Sequence, residues 1–324
     1  MKVLLLVMDE QRIILDHLYD SIRSYCQDCT VLRLSKAQQA HLGRFLAEID
    51  YQTYDRVVLF SRLKRMSSQL DVLKCVPGLV FLEHDACQNY MSGSKYRGLY
   101  SRFYRALPWA RVLVSGSGVA RQLVEEGVDA VFVPKGYDET LLHDKRLERD
   151  IPLAFFGSLK SSEYAQRKAM LEAISERTGM LVTRTASGEE YCNMLNRVQI
   201  FVSADVGMGE YMVKNYEAMA CGCTLVCWSQ GEEEDRRLGF EDMKNVVLYR
   251  SLDEAVEKIR LLQSDPELAE AIARAGKVLV EKHYTFTLIG QQLAQAIEQP
   301  MRRWPGVGFL HRCWVGVRYK MKVN

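Results

Sequence analysis

Gly207, Gly209, Lys214 and Glu217 fall within one short stretch, in the string Ala204-Asp205-Val206-Gly207-Met208-Gly209-Glu210-Tyr211-Met212-Val213-Lys214-Asn215-Tyr216-Glu217. The two glycines let the backbone approach a ligand closely. If the loop feeds a helix, the free N–H groups of the first turn and the helix dipole favour a diphosphate. Lys214 and Glu217 stand three residues apart, and Glu210 four before Lys214, so on a helix they share a face. A cation there can meet phosphate, and a carboxylate can accept hydrogen bonds from a ribose diol. The same spacing also describes an ordinary amphipathic helix with a solvated ion pair, and spacing alone does not separate the two.

A second set lies earlier, where an apolar run ends Phe81-Leu82-Glu83-His84-Asp85. A histidine near its ordinary pKa can handle a proton at neutral pH. A histidine that simply caps a loop would look the same. Residues 94–111 interleave Lys95, Arg97, Arg102, Arg105 and Arg111 with Tyr96, Tyr100, Phe103, Tyr104 and Trp109. That mixture suits a nucleic acid, a membrane surface or a phosphorylated lipid-linked acceptor, and also a helix with a solvated charged face.

These residues need a scaffold. Apolar runs at 2–8, 30–34, 56–60, 79–82, 110–114 and 130–133 read as strands, with helices at 12–25, near 35–49 and at 118–126. Further strands follow at 153–156, 180–185, 199–203, 224–228 and 246–249. Helices are predicted at 164–177, 189–196, 211–221, 252–262, 266–283 and 287–298. Strands alternating with helices imply α/β units with parallel sheets covered on both faces. At 324 residues the chain suits two such domains, with ligands bound beyond the carboxyl ends of the strands. Pro134-Lys135-Gly136-Tyr137-Asp138 and the charged stretch after it place the boundary at 143/144, giving domains 1–143 and 144–299 and a tail, 300–324.

Composition narrows the partners. No apolar run reaches the roughly 20 residues that span a bilayer. The first apolar run stops at Asp9-Glu10-Gln11-Arg12 without a small-residue cleavage site, so it reads as a buried strand. Nine scattered cysteines suggest reduced thiols and a cytoplasmic setting, and Cys26 and Cys29 have no second pair with which to form a zinc site. The tail carries six basic groups and no acid, leaving 37 basic against 41 acidic groups before it. Its cations accompany Trp304, Phe309, Leu310, Trp314, Val315, Val317 and Tyr319, the composition of a segment drawn to anionic lipid. Pro305, Gly306, Gly308 and Gly316 argue against one long helix, and a tail folded over the N-terminal domain fits the same residues. The expectation is peripheral attachment to the inner face of the cell membrane. The acidic body and the lack of a recognised motif argue against nucleic acid.

Glu217-Ala218-Met219-Ala220-Cys221-Gly222 resembles the signature of GT-B glycosyltransferases of family 4, group 1 type, and of their CgeB-like relatives. Val133-Pro134-Lys135-Gly136-Tyr137-Asp138 resembles the interdomain segment of that family. Phe155-Phe156-Gly157-Ser158 with Arg167 resembles the start of its donor domain, and Glu281-Lys282-His283-Tyr284-Thr285-Phe286 the stretch before its closing helix. The resemblance covers residues 130–299 well, and 1–129 by architecture. It implies the GT-B architecture: two doubly wound Rossmann-like domains facing each other across a cleft, with a C-terminal helix crossing back.

It also implies roles. Glu217 would bind the nucleotide ribose, and Lys214, Lys160 and Arg167 the diphosphate. Gly207 and Gly209 would lie near the sugar or phosphates, Gly157 and Ser158 at the donor pocket, and Thr185 near the base. His84, Asp85 and Glu210 are the catalytic candidates. Two departures stand out: the family often pairs two glutamates with seven residues between, but the first of those positions is Gly209 here, and Glu210 is one residue late. The usual glycine-rich loop after the first strand is also replaced, by Asp9-Glu10-Gln11-Arg12. No Asp-x-Asp triplet occurs, so no metal and no cofactor is expected beyond the donor substrate itself. The reading is sugar transfer from a nucleotide-sugar to a cell-surface glycan or lipid-linked acceptor such as lipopolysaccharide, metal-independent and with retention. A nucleotide-sugar epimerase and a non-catalytic scaffold of the same architecture are the competing readings.

Overall fold

The computed structural model describes residues 1–10, 14–159 and 165–323. The chain forms two compact units. The first comprises Met1–Ser115, Val119–Val133 and Gly290–Asn324; the second comprises Gly116–Gly118 and Pro134–Ile289.

The first unit is built on β1 (Lys2–Met8), β2 (Asp28–Leu34), β3 (Arg56–Phe60), β4 (Leu79–Glu83), β5 (Arg111–Val114) and β6 (Asp129–Phe132). All pairings are parallel, in the order β2-β1-β3-β4-β5-β6. Val3, Leu4, Leu5, Leu6 and Val7 are all fully buried, because helices cover both faces of the sheet. The expected helix at 12–25 runs Asp16–Tyr25; Gln11, Arg12 and Ile13 lie outside the described residues. The helix expected near 35–49 is two, Lys36–Ala40 and Leu42–Glu48, broken at His41. The buried Gln69 side chain makes the break tolerable: its amide donates to Gln39 O at 2.7 Å and its oxygen accepts from Leu42 N at 2.5 Å.

Residues 94–111 are mostly core. The helix Leu99–Arg105 turns Tyr100, Phe103 and Tyr104 inward, and Trp109 is buried with its indole N–H on Val76 O at 3.0 Å. Of the segment's charged and aromatic residues only the cations Lys95, Arg97, Arg102 and Arg105 are exposed, so the aromatic rings are not a stacking surface. Arg111 is buried beside Asp129 and donates to the carbonyls of Ala296, Gln299 and Pro300. It thereby caps the carboxyl end of the helix Phe286–Glu298, where a cation is favoured. Gly290 of that helix lets it approach Asp16–Tyr25, since a Cβ there would lie 2.4 Å from Ser21 Cβ.

The tail folds over this unit. Val315 and Met321 enter its core, and Trp304, Val307, Tyr319 and Val323 pack against it. The tail's helix, Phe309–Tyr319, begins after Gly308, which sits at the N-cap, so only Gly316 of the four expected helix breakers falls inside it. Val315 and its neighbours meet the helices Leu42–Glu48 and Leu70–Leu73. Gly43 makes room for the Tyr319 ring, which a Cβ would meet at 2.8 Å.

The second unit carries β7 (Ile151–Phe156), β8 (Leu181–Thr183), β9 (Val198–Ser203), β10 (Thr224–Trp228) and β11 (Val247–Tyr249), parallel in the order β11-β10-β9-β7-β8. Its chain starts at Pro134 rather than at residue 144. The linking residues are tied down there: Tyr137 bridges Thr285, and His143 O accepts from Asn196 Nδ2 at 2.9 Å. Glu139 accepts from Phe286 N and Thr287 N, capping the start of Phe286–Glu298. No helix among the described residues is long and apolar enough to cross a membrane.

Candidate donor site

Strand order in the second sheet reverses between β7 and β9. That is where open α/β sheets leave a crevice beyond their carboxyl ends. β7 ends at Phe156 and delivers Gly157 and Ser158; β9 ends at Ser203 and delivers Asp205 and the glycine loop. Gly207 and Gly209 have φ of +72° and +68°, a left-handed backbone that glycine adopts without strain. The loop is pinned by Gln230, whose oxygen accepts from Gly209 N at 2.9 Å while its amide donates to Asp205 O at 2.9 Å. The helix Val213–Ala220 follows, and Gly222 at φ +78° ends it before β10.

Glu217 lies on that helix and is buried. Tyr191 OH donates to its Oε2 at 2.9 Å. Burial pushes the Glu217 carboxyl above its ordinary range, while the Lys214 charge and the Tyr191 hydrogen bond oppose the rise. Lys214 Nζ stands 4.4 Å from the centre of the Tyr191 ring and 3.4 Å from its hydroxyl. Burial lowers the Lys214 pKa, opposed by Glu217 and Asp205 and assisted by Arg167 and Arg184. A Cβ on Gly157 would lie 3.4 Å from Lys214 Cε, so that glycine borders the lysine. The fold therefore gathers Gly157, Lys214 and Glu217, joined by Tyr191, at the end of the sheet.

Asp205 anchors the loop from behind. It is buried, is paired with Arg167, and accepts from Ser203 Oγ at 3.2 Å, Met212 N at 3.3 Å and Asn215 Nδ2 at 2.8 Å. The Arg167 guanidinium also contacts Met208 Sδ at 3.3 Å. Glu210 is buried in an ion pair with Lys135, Nζ to Oε1 3.1 Å. Thr185 lies two residues beyond β8 and is half-buried. Lys160 lies outside the described residues. In the first unit, His84 and Asp85 follow β4 at the carboxyl end of its sheet. The His84 ring packs edge-on against Phe60, with centroids 5.3 Å apart, and Asp85 N donates to Glu83 Oε1 at 2.8 Å.

Sequence reasoning did not single out Tyr191, Gln230 or Asp205. Tyr191 and Gln230 are remote in sequence from Glu217 and leave no spacing signal. Asp205 left one: an acid just past an apolar strand and ahead of a glycine pair.

Residues 139–295 match a family model described as glycosyl transferase-like. No curated protein matches the chain. Among solved structures, HepE of Anabaena in complex with UDP and glucose is similar at TM-score 0.69 and 14% identity, over 93% of this chain and 100% of that one. Sucrose-phosphate synthase of Thermosynechococcus elongatus follows at TM-score 0.64 and 11% identity, over 91% and 98%. A glycosyltransferase of Rickettsia africae gives TM-score 0.64 and 11% identity, over 92% and 98%. Residues 139–295 thus carry a glycosyl transferase-like segment, and the two parallel-sheet Rossmann-like units of the chain have the GT-B fold of these glycosyltransferase structures.

Proposed function

We propose that the second unit holds a nucleotide-sugar, with a uridine diphosphate carrier as the first candidate, and that the chain passes its sugar to a glycan or lipid-linked acceptor of the cell envelope. The buried Glu217–Tyr191–Lys214 cluster at the β7/β9 switch point carries this reading. A carboxylate desolvated at this cost is worth keeping where a ribose diol supplies two donors. Lys214, at the mouth of the helix Val213–Ala220, stabilises the diphosphate as it leaves, together with the free N–H groups of the first turn. Gly157, Ser158, Gly207 and Gly209 keep the backbone close to the phosphates and sugar, and Thr185 borders the base. Arg167 acts through Asp205, holding the loop in place. HepE, bound to UDP and glucose, supports the choice of carrier. Transfer with retention, without a metal, and a place in the CgeB-like branch belong to the same proposal. So does work at the inner face of the membrane, on acceptors such as lipopolysaccharide.

The deciding measurement is thermal unfolding with a panel of nucleoside diphosphates. A ligand that binds only the native state raises its stability by about 2.7 kcal/mol at a hundred times Kd. Uridine diphosphate should raise the transition temperature by several degrees. No shift with any diphosphate at millimolar concentration would overturn the donor reading and favour a scaffold.

His84 and Asp85 are proposed to orient the acceptor, since retention requires no single protein base. The His84→Ala chain should keep the uridine diphosphate shift while losing turnover by about 10²-fold, the scale of a reactant misplaced by about 1 Å. Unchanged turnover would remove His84 from the reaction.

A further inference from the structure

The tail's helix, Phe309–Tyr319, has two apolar sides, of which the fold uses one. Val315 faces inward and is 0% exposed, whereas Phe309, Leu310, Trp314 and Val317 are 72%, 81%, 42% and 86% exposed. At 3.6 residues per turn, Phe309, Leu310, Cys313, Trp314 and Val317 fall on one continuous stripe opposite Val315. Arg312 and Arg318 flank it, one on each side. The Arg318 guanidinium lies 5.1 Å from the centre of the Trp314 ring and 5.5 Å from that of Tyr319. The helix cannot turn to hide the stripe. Val315 and Met321 are set in the core, His311 Nε2 lies 2.8 Å from Asp71 O, and the Trp304 indole N–H donates to Lys74 O at 3.0 Å.

We propose that this stripe is a membrane-docking surface, on which the helix lies in the plane of an anionic bilayer with Phe309, Leu310, Trp314 and Val317 among the acyl chains. The proposal rests on the membrane location in the proposed function and is independent of the donor site. Charge selects the occupant. Residues 300–324 hold six cations and no acid, so the rim of the stripe matches a phosphate-rich surface. A second copy of the chain would set Arg312 and Arg318 against the same arginines across a two-fold contact. An apolar patch rimmed by polar groups marks a protein or membrane contact, and here the tail's own charged groups are of one sign. The tail therefore does two jobs with opposite faces of one helix, closing the core of the first unit and presenting the stripe.

The test uses the full chain and vesicles of phosphatidylcholine, with and without a third phosphatidylglycerol. Wild type should float with the anionic vesicles and not with the neutral ones. Cys313 is the exposed thiol in the middle of the stripe, and the other cysteines are buried or half-buried. An environment-sensitive dye on Cys313 should shift to the blue on adding anionic vesicles alone. Leu310→Ser combined with Val317→Ser should weaken partitioning by roughly tenfold or more, and Arg312→Gln combined with Arg318→Gln should weaken it by a smaller factor that vanishes at high salt. All four positions are exposed, so these chains should keep the uridine diphosphate shift, which judges the donor reading separately. Vesicle binding unchanged in the Leu310→Ser, Val317→Ser chain would overturn the proposal. So would a wild type that ignores vesicles, or one that doubles its mass in solution and loses the doubling with those substitutions.

Discussion

Glu217→Gln should abolish the response to nucleoside diphosphates while leaving the protein folded. The carboxylate is proposed to accept from both ribose hydroxyls. Hydrogen bonds to a charged group are worth about 1.5–3 kcal/mol each, so the loss should weaken binding by roughly a hundredfold or more. Stability should move the other way. Burial raises the Glu217 pKa, so in the window from its ordinary value of 4.5 up to the raised folded value the native state holds a proton that the unfolded chain has released. Native stability therefore falls as pH rises through that window and levels off above it. The glutamine carries no such penalty, so at neutral pH Glu217→Gln should unfold no earlier than wild type and should lose this part of the pH dependence. Glu234, also raised by burial, keeps its own share in both chains. Tyr191→Phe is the comparison: it keeps the carboxylate and removes the hydroxyl that orients it, for an expected loss of about tenfold in affinity. A Glu217→Gln chain with a wild-type shift would show that the ribose is held elsewhere.

Asp205→Ala should cost more stability than any other single change at the site. Removing one partner of a buried ion pair leaves the other charge uncompensated, at about 3–5 kcal/mol. Here Arg167 would lose its Asp205 carboxylate, and Ser203, Met212 and Asn215 would each lose an acceptor. Denaturant unfolding monitored within the second unit reads the effect directly. Adding Arg167→Met should restore part of the loss, because the buried charge that faced Asp205 goes with it. A single variant within about 0.5 kcal/mol of wild type, the scale of an ordinary surface change, would show that Asp205 does not hold the loop.

The parallel sheets were legible because burial on both faces leaves continuous apolar runs such as Val3–Val7 and Val198–Ser203. The break at His41 was not, since the groups that satisfy it belong to Gln69, far along the chain. The short helix Glu232–Arg237 has no apolar period at all. At the site, Gly157, Lys214 and Glu217 could be read because a strand end, a glycine loop and a helix face each leave a local pattern. Tyr191 could not, because its place beside Glu217 is a product of sheet order. The interleaved segment at 94–111 misled for a related reason. Composition counts aromatic rings, but the helical period decides which side they take, and it took Tyr100, Phe103 and Tyr104 inside.

Gly290–Asn324 belongs to the same unit as the first strand. Its Val315 and Met321 fill the core laid down by residues near the amino terminus, and Lys322 O receives the Tyr51 hydroxyl at 3.1 Å. On the ribosome, domains generally mature in order of synthesis. This chain inverts that order. Pro134–Ile289 makes up nearly all of the second unit and can condense while residues 290–324, which complete the core of the first unit, are still to be made. Strands β1 to β6 are thus made before the second unit, and their core is closed after it.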